Sequence, residues 1–263
     1  IVSGQLQHEV PDIHNQTLDG LNFVWNDFKR QGYATMFAED EPHLGVFNLR
    51  LGGFDQIPTD HYMRYFWQAQ RESHLRQACS EQFCTGPTPN HQYLFQYLDD
   101  FFLKYRNISR FAVGFSGELS HDEVNPSQYL DSDLLNFFRR LRRKGQLKDT
   151  AVIVFSDHGS RRGKVRMTLQ GKIEERLPFL AIYLPEDFRK KHSDLYRNVV
   201  MNAARLTSPF DVHETLLDLL DFIELSYFLF LQVSTSRRGI SLLRAIPANR
   251  TCAEAGIETH WSV

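Results

Sequence analysis

The chain has little cysteine: three residues in 263, too few for a fold held together by disulfides. Cys79 and Cys84 are close enough in sequence to pair across a short loop, which leaves Cys252 over for a partner outside the chain. No apolar run reaches the ~18 residues needed to span a bilayer. The longest, Phe222 to Val233, is broken by Glu224, Ser226 and Gln232 and reads as a core or edge segment. Neither sign of charge predominates. Formal net charge is −2, so no global field favours nucleic acid or an acidic membrane surface. A signal peptide and an initiator methionine are both lacking. The chain opens Ile1-Val2-Ser3-Gly4, and we expect it to be cut from a longer protein.

What is present is ordinary globular composition, 42% hydrophobic and 24% charged, enough for one sizeable core in a single domain over residues 1–263. Three sequons, at Asn15, Asn107 and Asn249, lend modest support to a secreted route.

The apolar pattern alternates between helical and strand signals. Leu21, Val24, Trp25 and Phe28, closed by Gly32, read as an amphipathic helix, and Tyr33–Ala38 as the strand after it. Glu39-Asp40-Glu41 then reads as a solvated loop rather than a cation site. Residues 42–88, rich in Gly, His and aromatics, read as a long irregular excursion from the sheet. Within it Asp60 and His61 fit either a site or a structural role. Thr88 and Pro89 suit the cap and first position of a helix whose apolar face runs from Leu94 to Tyr105.

Phe111–Phe115 is the next strand, followed by a helix from Leu130 to Leu141. That helix ends in Arg139, Arg140, Arg142, Arg143 and Lys144 before Gly145. Cations there complement the helix dipole, and without aromatic interleaving they are no nucleic-acid patch. Leu180–Leu184 is a further strand, stopped by Pro185. Ser208 and Pro209 open a last helix with Asp211 in its first turn and His213 on its surface. The C-terminal arm, residues 234–263, reads as an edge strand or a docking arm.

The most informative stretch is Ala151-Val152-Ile153-Val154-Phe155-Ser156-Asp157-His158-Gly159. A short apolar run without alternation reads as a strand buried on both faces of a parallel sheet. Such sheets place ligands beyond the carboxyl ends of their strands, where Asp157 and His158 sit. Carboxylate oxygen and imidazole nitrogen are both ligands for divalent ions. Taken alone, Asp-His-Gly serves equally well as a turn in which Asp157 caps the next segment. A right-handed strand–helix–strand crossover from Phe115 to Ala151 makes the two strands parallel and brings His121 to the same sheet edge as Asp157 and His158. The expected fold class is therefore α/β, a mostly parallel sheet with helices on both faces.

Asp157-His158-Gly159, then Gly171-Lys172 with a Glu, then Arg176-Leu177-Pro178 leading into a strand, resembles the alkaline phosphatase/sulfatase superfamily. The longer motifs Phe37-Ala38-Glu39-Asp40, Pro58-Thr59-Asp60-His61-Tyr62, Ser120-His121-Asp122, Ser156–Arg161, Leu169–Phe179 and Asn249-Arg250-Thr251-Cys252 resemble the metazoan domain-of-unknown-function 229 family over nearly the whole chain. The resemblance implies an alkaline-phosphatase-like fold and an extracellular or lumenal setting. It also implies a divalent metal (zinc, calcium or manganese) on Asp157, His158 and His121. An anionic phosphate or sulfate ester would lie on Lys172, with Arg161 and Arg162 as further candidates beside it.

One departure matters. In relatives the nucleophile and first metal aspartate precede a segment of which we expect Val2-Ser3-Gly4 to be the remnant, so no catalytic nucleophile is assigned here. We expect residues 1–263 alone not to turn over esters. Two function classes stay open: a metal-dependent ester hydrolase, and a non-catalytic extracellular binding or structural protein on the same fold.

Overall fold

The computed structural model describes residues 1–6, 9–10, 16–74, 83–224 (backbone only for 222–224) and 238–261. Asn15 and Cys79 lie outside the described residues, so the sequon at Asn15 and the Cys79–Cys84 pairing carry no structural account.

The centre is strand β1, Ala34–Glu39, every residue of which is buried. Side chains of a strand alternate between faces, and β1 uses both. Ala34, Met36 and Ala38 pack on Trp67 of helix α2 (Arg64–Glu72), on Leu94, Leu98 and Phe101 of α3 (Asn90–Lys104), and on Phe137 and Leu141 of α4 (Leu130–Arg143). Tyr33, just before the strand, and Phe37 pack with Trp25 and Phe28 of α1 (Val24–Arg30) and with Leu220 of the last helix. Helices therefore cover both faces. Burying one such side chain stabilises by ~2–3 kcal/mol, and the Trp25 and Phe37 rings stack with centroids 5.6 Å apart.

β1 is flanked by two parallel partners. Strand β2, His61–Tyr62, pairs at Met36↔His61 and Phe37↔Tyr62. On the other side lies β5, Arg110–Phe115, in register from Ala34↔Arg110 to Glu39↔Phe115. Beyond the short β2, side chains extend the pairing. Thr35 N–H donates to Asp60 Oδ2 at 2.9 Å, and Phe37 N–H to Thr59 Oγ1 at 3.1 Å. Asp60 thus serves the sheet. His61 does so too, held between the Tyr97 and Tyr105 hydroxyls at 3.3 and 2.7 Å.

Several sequence expectations need correction. The excursion of residues 42–88 is not irregular throughout: it carries β2, α2 and a small hairpin of β3 (Cys84–Thr85) with β4 (Thr88–Pro89). Thr88 pairs with Thr85 in that hairpin, so the cap position of α3 falls to Pro89. Glu39, Asp40 and Glu41 are not a solvated loop; they are 0, 2 and 6% exposed. Asp40 accepts from Ser116 Oγ and from the backbone N–H of Gly117 and Glu118, which fixes the turn after β5.

The crossover differs as well. Strand β6, Val152–Phe155, does not hydrogen-bond to β5; it pairs antiparallel with β7, Leu180–Tyr183, from Val152↔Tyr183 to Phe155↔Leu180. The apolar run of β7 follows β6 after one short helix, so the hairpin-like partner is the more local one. The two sheets still lie alongside. Arg110, opening β5, reaches Asp149 ahead of β6 at 3.8 Å, and Asp122 beyond β5 reaches Arg162 beyond β6 at 3.4 Å.

Helices α6 (Glu186–Lys191), α7 (Ser193–Asn202) and α8 (Pro209–Glu224) follow β7, and the C-terminal segment docks on them. Leu242 and Ile246 pack on Val212, with Ile153 and Ile182 of the hairpin against them. The segment is pinned by Asp211, which pairs bidentately with Arg250 at 2.7 and 3.0 Å and accepts from the N–H groups of Ser208 and Ile240. Its described residues, 238–261, hold no strand. His213 is half-buried rather than on the surface, its Nδ1 2.6 Å from the Ile1 carbonyl.

Candidate metal and anion site

The site is built on the turn that leaves β6. Ser156 continues the hairpin: its N–H donates to the Phe179 carbonyl, and its hydroxyl accepts from Phe179 N–H, both at 3.0 Å. Asp157 and His158 follow at the rim. Asp157 Oδ1 accepts the His158 backbone N–H at 2.9 Å. His158 Nδ1 lies 2.7 Å from the Gly159 carbonyl. A carbonyl only accepts, so Nδ1 carries a proton, and Nε2 is the nitrogen left to bind a ligand when the ring is neutral. Nε2 lies 3.3 Å from Asp157 Oδ2, and a protonated ring makes an ion pair there.

With the ring neutral, Nε2 and Oδ2 are two acceptors at a separation that fits a cation between them. It is about the separation of adjacent donors on one ion with bonds of ~2.1 Å, and fixing an imidazole by a hydrogen bond at its other nitrogen is how metal-binding histidines are oriented.

Gly159 makes this turn because no side chain fits there. A Cβ would stand 2.1 Å from the Glu174 carbonyl oxygen. Its N–H donates to the Glu175 carbonyl at 3.1 Å, joining the turn to helix α5, Leu169–Arg176. Gly171 of α5 is under the same constraint, with a Cβ 2.0 Å from the Val165 carbonyl. Thr168 caps α5 by accepting from Gly171 N–H at 3.0 Å. Lys172 lies exposed on the first turn of this helix.

His121, on the turn after β5, directs Nδ1 to Asp122 Oδ1 at 3.0 Å. The same carboxylate oxygen is 3.4 Å from Arg162 Nη2, so Asp122 joins the loop of His121 to the loop of Asp157 and His158. Among the described residues, however, no three His, Cys, Asp or Glu side chains form a group able to hold one ion together. Asp157 and His158 form a doublet, and His121 stands in its own hydrogen bond. Arg161 Nε lies 3.3 Å from Glu175 Oε1, and its guanidinium sits 5.8 Å from the centroid of the Trp261 ring. Asp122 and Glu175 are the organisers that sequence reasoning left without a role. For Glu175 the signal was its position one helical turn beyond Lys172.

A parallel three-stranded sheet with helices on both faces defines an α/β protein. The chain belongs to the family described as protein of unknown function (DUF229), whose model matches residues 2–263. No curated protein and no solved structure matches it. No helix among the described residues is long and apolar enough to cross a membrane.

Proposed function

We propose that the chain carries the metal-binding doublet and the anion contacts of a phosphate- or sulfate-ester hydrolase of alkaline-phosphatase-like or sulfatase-like architecture, working in an extracellular or secretory setting. The observation that carries this reading is the His158–Asp157 pair, with Nδ1 tied to a carbonyl and Nε2 turned to a carboxylate oxygen 3.3 Å away. A divalent ion held there supplies charge neutralisation at the ester oxygen and activation of the attacking group. The chain's own residues do the rest. Gly159 and Glu175 hold the turn, His121 directs its Nε2 away from Asp122, and Lys172 with Arg161 offers positive charge to the oxyanion. Exposed Asn107 and Asn249 support the secretory setting, since both sequons are reachable by a glycosylation enzyme.

Attack on the ester is assigned to no side chain of residues 1–263, so the first test is ion binding. Protein stripped with a chelator is titrated with zinc, manganese and calcium, alongside Asp157→Ala and His158→Ala. Stoichiometric binding that both variants lose supports the reading; binding that neither variant alters sinks it. Aryl phosphate and aryl sulfate are then offered with the bound ion. A chain that holds ion and oxyanion but leaves both esters intact is a non-catalytic binding protein on the same framework.

A further inference from the structure

The loop between β6 and α5 carries an arrangement that metal binding does not need. Glu175 is 9% exposed, yet two arginines converge on it. Arg161 Nε lies 3.3 Å from its Oε1 and Arg166 Nε 3.4 Å from its Oε2. Lys172 stands three positions before it on α5, the spacing of side-chain neighbours on a helix. The two arginine side chains are 45 and 53% exposed, so their outer ends face solvent while their Nε atoms face the carboxylate.

A guanidinium has five donors in a fixed plane. A carboxylate on Nε therefore sets the direction of the remaining ones. One carboxylate cannot neutralise two guanidinium groups, so the group keeps net positive charge. The loop itself is rigidly supported: Gly159 and Gly171 allow backbone contacts that a Cβ would prevent, and Trp261 packs on Arg161.

We infer that Arg161 and Arg166, spread by Glu175, form a clamp for a tetrahedral oxyanion, the sulfate or phosphate group of the ester, with Lys172 beside it. Arg166 is an anion contact and Glu175 a positioning residue, which touches the arginines and not the ligand. The inference rests on the ester-hydrolase reading and adds the residues that recognise the charged group. Guanidinium donors paired with a charged oxyanion are the strong form of its recognition.

The test is titration of the full chain with sodium sulfate and, separately, sodium phosphate, at ionic strength held constant with chloride. Calorimetry and tryptophan emission are the readouts. Trp25 and Trp67 are 1% exposed and Trp261 42%, so a change in emission reports on Arg161's neighbour. Saturable binding is expected, with Arg166→Ala and Glu175→Gln each weakening it by about tenfold, the size of one charge-assisted hydrogen bond. Glu175→Asp should recover part of the loss. The stronger of the two anions names the ester class.

Arg166 is exposed, so its variant stays informative even if a Glu175 variant folds poorly. Affinity unchanged in Arg166→Ala, or unchanged or tighter in a folded Glu175→Gln, overturns the clamp, as does the lack of saturable binding. If ion binding at Asp157 and His158 persists in that case, the clamp alone has failed. If ion binding is also lacking, the reading beneath it has failed.

Discussion

Asp122 and Arg162 meet across forty positions of sequence, Oδ1 to Nη2 at 3.4 Å, and His121 Nδ1 approaches the same oxygen at 3.0 Å. This contact closes the distance between the turn after β5 and the turn after β6. Both partners are well exposed, at 70 and 58%, so the join is electrostatically weak. A double-mutant cycle with Asp122→Ala and Arg162→Ala, read by urea denaturation, should give a coupling of ~0.2–1 kcal/mol. A larger coupling would mean the two loops depend on one another for folding and not only for alignment.

Glu39 ties stability to pH. It is fully buried, Oε2 accepts from Val46 N–H at 3.1 Å, and burial pushes its carboxyl from 4.5 up to about 7. The folded state therefore favours the protonated acid. The stabilising contribution is complete below the unfolded value and is lost as pH rises through the folded one. Glu39→Gln cannot ionise. It should flatten the stability profile across that window and leave the variant more stable than the parent at pH ~8 by on the order of 3 kcal/mol at most. Urea melts at pH ~5 and ~8 decide this; a parent profile as flat as the variant's would contradict it.

The Asp211–Arg250 pair should be costly to break from either side. Both side chains are nearly inaccessible, at 0 and 2%, and Arg250 also donates to the Leu206 and Arg238 carbonyls. Arg250→Ala leaves a buried carboxylate with two backbone donors and should cost ~3–5 kcal/mol in chemical denaturation. The loss should free the C-terminal arm first, seen as early hydrogen exchange at Leu242 and Leu243.

Gly159→Ala should destabilise by ~1–3 kcal/mol, because the new methyl meets backbone rather than a flexible side-chain end. It should also weaken ion binding at His158, whose Nδ1 partner is the Gly159 carbonyl. Gly20→Ala is the control, since nothing lies within 4 Å of a Cβ there, and it should be near neutral in both assays.

The α/β class and helix-covered sheet were legible because β1 and the apolar stripes of α3 and α4 carry unambiguous periodicity. Burial of Glu39, Asp40 and Glu41 was not. A run of carboxylates looks solvated until the turn donors from Ser116, Gly117 and Glu118 are known, and these come from 76 to 78 positions downstream. The partner of β6 was misread because a continuous apolar run specifies a buried strand but not which neighbour it takes. At the candidate site, Asp157 and His158 stood out by type at a strand's end, and Lys172 and Arg161 only through the family resemblance. Glu175 and Asp122 did not, because a residue that acts by orienting another leaves little trace in spacing alone.

The Thr59 and Asp60 side chains have an effect on assembly. By engaging the N–H groups of Thr35 and Phe37, they cap the flank of β1 that the two-residue β2 leaves uncovered. An incoming peptide finds no row of free amides on that side.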